Sequence, residues 1–217
     1  MNIEQNPFHF GKPVKKEHYF PQPKFFQLME QFVESKIGVV ITGPRRFGKT
    51  SFILNFLEKK RNQNKECLYI DIFNITSHKD FLIQILRALN SESSWQYKLK
   101  DFIGKIPRLR PIIQMEPDQN TGQFSFSLSA SVTNDRDIKD IIQDIILSFG
   151  DIGQDVIVVF DEFQKIAQID DDGWLEATLR THMQQLDNVA FIFTGSRRHI
   201  ISDMLNNETR TFYRSCQ

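Results

Sequence analysis

The apolar residues of this chain recur at two different intervals, and the switch between them lays out a succession of helices and strands. Phe25, Leu28, Met29 and Phe32 share one helical stripe and predict a helix over Phe25 to Ser35. Ile37 to Thr42 is a β-branched run bounded by Gly38 and Gly43, the pattern of a buried strand. Phe52, Ile53, Phe56 and Leu57 predict a helix over Thr50 to Arg61. Cys67 to Phe73 reads as a second buried strand, and Lys79 to Leu89 as the helix connecting onward. Trp95 to Ile106 is expected to be helical and to end before Pro107. Ile138, Ile141, Ile142 and Ile145 mark a helix over Asp137 to Phe149. Val156 to Phe160 and Val189 to Thr194 are further strands, with an amphipathic helix over Trp174 to Leu186 between them. Strands that are apolar throughout and alternate with helices imply an α/β domain, its mostly parallel sheet covered on both faces.

Two stretches break this rhythm. Pro7, Pro13, Pro21 and Pro23, with aromatics between them, read as an extended arm over residues 1–24. Farther on, Arg110 to Glu116 and Gln123 to Val132 flank Asp118-Gln119-Asn120-Thr121-Gly122, a turn signal. Phe124, Phe126, Leu128 and Ala130 alternate with serines, the period of a half-buried strand. The pattern predicts a β-hairpin inserted at about residues 108–133.

Chemistry enters at the turn after the first strand. Gly43-Pro44-Arg45-Arg46-Phe47-Gly48-Lys49-Thr50 has the spacing G-x-x-x-x-G-K-[ST] between a strand and a helix. Glycines at both ends permit backbone conformations and close approaches that a β-carbon blocks. Successive N–H groups then form an anion cradle at the positive end of the helix. The segment from Gly43 to Ser51 is therefore the expected nucleotide-binding set. Lys49 is expected between β- and γ-phosphates, and the Thr50 hydroxyl, not that of Ser51, on Mg²⁺. Arg45 and Arg46 have two readings, as further phosphate ligands or as solvated charges at the loop tip.

Two other strand ends supply polar groups. Val156 to Phe160 runs into Asp161 and Glu162, so a buried strand delivers two carboxylates to the sheet edge where α/β proteins bind ligands. Asp161 is expected to hold Mg²⁺ through water, opposite Thr50, and Glu162 to polarise the attacking water. Val189 to Thr194 leads into Gly195-Ser196-Arg197-Arg198, expected between the other two strands. Ser196, or else Thr194, is the candidate to bond that water or the γ-phosphate. Arg197 and Arg198 have two readings, as direct contacts to the γ-phosphate or as the basic first turn of a helix.

Composition narrows the class. Hydrophobic residues make up 40% and charged residues 25%, twenty residues are Phe, and 27 basic side chains balance 27 acidic ones. The 217 residues suit one domain or slightly more. Net neutrality argues against a bulk nucleic-acid or membrane surface, leaving the local cluster Lys98, Lys100, Lys105, Arg108 and Arg110. No apolar run approaches a membrane span, and the polar N-terminus has no signal-peptide core. Cys67 and Cys216 fit neither a disulfide framework nor a zinc site; Cys67 reads as a buried reduced thiol, and a reducing cytoplasm is the expected compartment. The five histidines lack metal-ligand spacing, and Asp170-Asp171-Asp172-Gly173 reads as a loop capping the Trp174 helix rather than as a calcium site.

Together, Asn6-Pro7-Phe8-His9-Phe10-Gly11-Lys12-Pro13-Val14, Gly43 to Ser51, Phe160-Asp161-Glu162-Phe163-Gln164 and Gly195-Ser196-Arg197-Arg198-His199 resemble prokaryotic ATPases of the archaeal-type AAA/STAND superfamily. Arg210-Thr211-Phe212-Tyr213 resembles their R-P-F-Y element with Thr in place of Pro. The resemblance implies a P-loop NTPase three-layer sandwich, α/β in class, and ATP rather than GTP; no Asn/Thr-Lys-x-Asp guanine motif is present. It also implies that the arm, around Phe8 to Val14 and Tyr19-Phe20, lies near the adenine, with Gln22 in the area where members carry Arg. Residues 25–217 then form the ATPase core. Relatives continue into a fifth strand, a small helical lid and often a winged helix, so the resemblance implies that the lid is absent and that the P-loop strand lies at the sheet edge. The expected function is slow Mg-ATP hydrolysis. A nucleotide-gated module for self-association or a protein partner, and a DNA-associated ATPase, are the alternatives.

Overall fold

The computed structural model describes residues 13–14, 19, 22–106, 113–117, 124–128 and 134–216. Most of the arm, the turn Asp118 to Gly122, and Arg108 and Arg110 lie outside the described residues.

The first helix among the described residues is α1 (Pro23–Glu34), where Pro23 at the first turn needs no hydrogen-bond partner for a backbone N–H. Strand β1 (Val39–Thr42) leads into α2 (Lys49–Arg61), and β2 (Glu66–Asp71) into α3 (His78–Ser91) and α4 (Ser93–Lys105). Strands β3 (Ile113–Pro117) and β4 (Phe124–Leu128) follow, then α5 (Asp135–Ser148) and β5 (Val156–Asp161). A 3₁₀ segment, Phe163–Gln168, precedes α6 (Trp174–Gln185), β6 (Val189–Gly195) and α7 (Arg198–Asn206). Local signals start several of these. Ser77 accepts the Asp80 N–H at the start of α3, and Asn134 accepts the Arg136 N–H at the start of α5.

Four strands form one parallel sheet in the order β1-β6-β5-β2, with β1 at one edge among the described residues. Residues alternate between its two faces. Val158 and Phe160 pack on one side with Phe191, Phe193 and residues of α3, α5 and α6. Ile157 and Val159 pack on the other with Ala190, Ile192 and residues of α1 and α2. Helices on both faces make three layers. Phe160 stacks between Phe81 at 5.6 Å and Phe193 at 5.9 Å, joining β5 to α3 and β6. Truncating such a side chain to Ala costs about 3–5 kcal/mol.

The inserted hairpin is present as a separate two-stranded sheet, β3 antiparallel to β4, with Ile113 opposite Leu128 and Pro117 opposite Phe124. Three strand ends differ from the periodic reading for physical reasons. Asp161 and Gly195 extend β5 and β6 because neighbouring strands continue to pair beyond the apolar run. Phe73 is not part of β2, because the Asp71 carboxylate accepts the Phe73 N–H and turns the chain.

The register places Thr42 opposite Gly195 and Asp71 opposite Asp161. All four strand ends therefore meet at one sheet edge. No helix among the described residues is long and apolar enough to cross a membrane.

Candidate nucleotide site

The loop between β1 and α2 is built to present N–H groups. Arg46 and Gly48 adopt left-handed φ values of 64° and 83°. For Gly48 the φ itself selects glycine, since a β-carbon there has nothing within 4 Å. Gly43 differs, because a β-carbon there meets only Lys49 Cδ at 3.9 Å, so nothing in the chain alone excludes a side chain. Phe52 N–H donates to Gly48 C=O at 2.8 Å, and Lys49, Thr50 and Ser51 precede it as the orphan donors of a helix start. Lys49 Nζ donates to the carbonyls of Gly43 at 2.8 Å and Pro44 at 3.0 Å, so its ammonium lies within the curve of the loop.

The acidic strand end adjoins this helix start. Thr50 Oγ1 donates to Asp161 Oδ2 at 3.0 Å. The same oxygen accepts the Tyr69 hydroxyl from β2. Asp161 Oδ1 accepts the hydroxyl of Thr194 on β6 and, at 2.9 Å, the Glu162 N–H. Asp161 is only 4% exposed, and every one of these partners is a donor, as a buried carboxylate requires. Burial, and after it the Asp161 charge, push the Tyr69 phenol well above its ordinary range, so Tyr69 remains a donor.

Glu162 follows in the left-handed region at φ 62°, a conformation that costs a residue with a β-carbon about 1–2 kcal/mol. That bend carries its side chain toward the end of β6. Glu162 Oε2 accepts Ser196 Oγ at 2.8 Å and the Gln164 amide. The sequence-derived Asp161, Glu162, Ser196, Lys49 and Thr50 thus converge at one sheet edge. The arginines do not join them through any bond to these groups: Arg45 lies 5.5 Å from the Phe73 ring, which Lys165 also faces at 5.4 Å. Arg46, Arg197 and Arg198 are exposed, and Phe47 is 79% exposed.

On the other side of the loop, Ser51 serves the arm. Its hydroxyl accepts the Val14 N–H at 2.9 Å, and Asn55 donates to Val14 C=O at 2.9 Å. A cavity of about 410 Å³ opens there, lined by Tyr19, Gln22, Phe25, Phe47, Lys49 and Phe52 among others. A larger depression of about 740 Å³ beside Asp151 and Asn188 lies at the N-terminal ends of β5 and β6, away from this chemistry.

Periodicity alone does not identify Tyr69 or Gln164 as site residues. A hydroxyl inside the apolar run Cys67 to Ile70 was the available signal for Tyr69, because a buried phenol needs an acceptor. Thr194 had its signal in the strand end, although its partner is Asp161. In the basic cluster, Lys98 pairs with Glu66 at 2.5 Å and Lys105 with Asp101 at 3.0 Å. The Asp170 carboxylate caps α6 as expected, accepting the Leu175 and Glu176 N–H groups at 2.9 and 3.0 Å, but it is buried rather than solvated.

Known structures share the fold at low identity. A Walker-type ATPase of Pyrococcus abyssi is 19% identical, with a TM-score of 0.60 over 96% of this chain and 55% of that one. The ORC2 protein of Aeropyrum pernix, solved as ADPNP-ADP complexes, is 13% identical, with a TM-score of 0.53 over 90% and 44%. Cdc6p of Pyrobaculum aerophilum, also 13% identical, gives 0.53 over 97% and 47%. The chain spans about half the length of these structures. No curated protein matches it. The model of an ATPase domain found predominantly in Archaea matches residues 27–214, most of the sequence, and the chain belongs to that family of ATPase domains.

Proposed function

We propose that this chain binds Mg-ATP on Gly43 to Ser51 and hydrolyses it, slowly when alone. The observation that carries the reading is the meeting of the loop helix with the acidic strand, Thr50 Oγ1 beside Asp161 Oδ2 at 3.0 Å. A hydroxyl and a carboxylate at that separation are oxygen ligands of the kind Mg²⁺ takes, directly or through its waters. Bound there, the cation would neutralise charge between the phosphates.

The remaining roles follow from position. The orphan N–H groups at the start of α2 cradle phosphate oxygens. Lys49 exchanges its two loop carbonyls for the β- and γ-phosphates. Glu162 accepts a proton from the attacking water, and Ser196, whose hydroxyl donates to that carboxylate, accepts a hydrogen bond from the same water. The cavity beside Tyr19, Gln22 and Phe25 takes the adenine, its apolar walls suiting a planar base.

Titration with ATP and Mg²⁺, with phosphate release followed in the same samples, tests the reading. Glu162→Gln should keep its affinity for Mg-ATP while release falls by about 100-fold or more. Lys49→Ala should weaken the affinity itself. Equal loss of binding and release in Glu162→Gln would refute the assignment of the base.

A further inference from the structure

Gln164 is a polar side chain in an apolar place. It is 1% exposed, and its neighbours Phe163 and Ile166 belong to the core. Its Nε2 donates to Glu162 Oε2 and lies 3.4 Å from Ser196 Oγ. Its Oε1 has no hydrogen-bond partner among the described residues. A leucine or methionine would fill comparable space without burying an unsatisfied oxygen, so packing alone does not account for the amide.

The orientation of the amide is fixed by its neighbour. Turned over, it would set its own oxygen against the Glu162 carboxylate, with no proton between them. Its place is equally restricted, since a β-carbon on Gly195 would lie 2.3 Å from Gln164 Oε1 and 2.2 Å from Ile201 Cδ1. Gly195 C=O in turn accepts the Gly43 N–H at 3.3 Å. Gln164 is thus held between the exit of β5 and the end of β6, whose Gly195 also bonds the first residue of the phosphate loop.

The amide supplies a second donor to the oxygen that Ser196 already bonds. Two donors on Oε2 restrain the orientation of the carboxylate. We infer that Gln164 is a positioning residue for Glu162, holding its carboxylate in the orientation from which it takes a proton. The inference rests on the reading of Glu162 as the base.

Single-turnover hydrolysis by the full chain, with ADP affinity and thermal unfolding measured alongside, tests it. Gln164→Leu and Gln164→Met both keep the volume, so one can stand in where the other fails to fold. Each should lower the hydrolysis rate about tenfold or more, as misalignment of a catalytic group does, with ADP affinity within about twofold of the parent. In a Glu162→Gln background the same substitution should cause no further loss, because the group it positions is already gone. An unchanged rate in a folded Gln164 variant overturns the inference. So does an equal proportional loss in both backgrounds, which marks a packing role. Hydrolysis that survives Glu162→Gln undisturbed refutes the base itself, a result distinct from either.

Discussion

Thr50 and Asp161 are 111 residues apart in sequence, yet the Thr50 hydroxyl donates to Asp161 Oδ2 at 3.0 Å. The parallel register of β5 and β6 and the position of β1 beside β6 create this proximity. Without a cation the hydroxyl spends its proton on the carboxylate; a bound Mg²⁺ would compete for both oxygens. Thr50→Ala should therefore abolish most of the magnesium dependence of ATP binding while leaving magnesium-free ADP binding within about threefold, because the loop N–H groups remain. Fluorescent-nucleotide titration with and without Mg²⁺ reads both. An unchanged magnesium dependence would remove Thr50 from the cation site.

Tyr69 acts on the same carboxylate oxygen, beside Thr50. Its hydroxyl donates to Asp161 Oδ2 from β2, where Tyr69 pairs in register with Val159. Such supporting bonds to metal ligands are worth about 10–100-fold in metal affinity. Tyr69→Phe should raise the magnesium concentration at half-maximal hydrolysis about tenfold, and lower stability by about 1 kcal/mol through the lost hydrogen bond. Loss of stability without a shift in the magnesium midpoint would make the phenol structural only.

What the sequence disclosed divides along physical lines. Gly43 to Thr50 was legible because its chemistry depends on local spacing, and β5 because five consecutive apolar residues lead into Asp161. Sheet order gave Ser196 its place between Thr42 and Asp161. Tyr69 was not legible, because its role depends on which side chain crosses from a neighbouring element, and a period of two or 3.6 carries no such information. Gln164 stood in the motif with Glu162, but its bond to that carboxylate depends on the left-handed bend at Glu162, which periodicity does not show. Ser51 illustrates the same limit, since its hydroxyl is engaged by Val14, 37 residues upstream.

The Arg210-Thr211-Phe212-Tyr213 element has a structural reason. Arg210 pairs with Glu176, which is 2% exposed on α6, while Arg180 donates to Thr211 C=O and Phe212 packs against Phe163 and Phe193. Burial raises the Glu176 carboxyl above its ordinary range and the Arg210 charge opposes that rise. Removing one partner strands the other. Arg210→Ala should lower stability by about 3 kcal/mol, read from urea unfolding, a larger loss than removal of an exposed pair such as Lys105–Asp101. Equal effects of the two would contradict the buried reading.

His78 ties the start of α3 to the start of α5 and the loop before α6. Its Nδ1 lies 3.1 Å from Asp135 Oδ1, and its Nε2 lies 3.5 Å from Asp170 Oδ1, close enough for ionic attraction though without a formed hydrogen bond. Lys139 and Asp172 are the other charges near it, and Trp174 meets the ring edge-on at 5.7 Å. The nearby Asp170 carboxylate raises the imidazole above its ordinary 6.5, burial opposes the rise, and Asp135 adds to it. A folded-state value above the unfolded one means the native chain binds the proton more tightly. The stabilisation is then complete below about pH 6.5, the unfolded histidine value, and is lost as pH rises through the folded one. His78→Gln should accordingly cost most stability at acidic pH, with its unfolding midpoint approaching the parent's as pH is raised. Urea unfolding of both proteins from pH 5.5 to 8.5 would reveal the convergence. A constant gap across that range would mean that His78 contributes through packing against Trp174 and not through its charge.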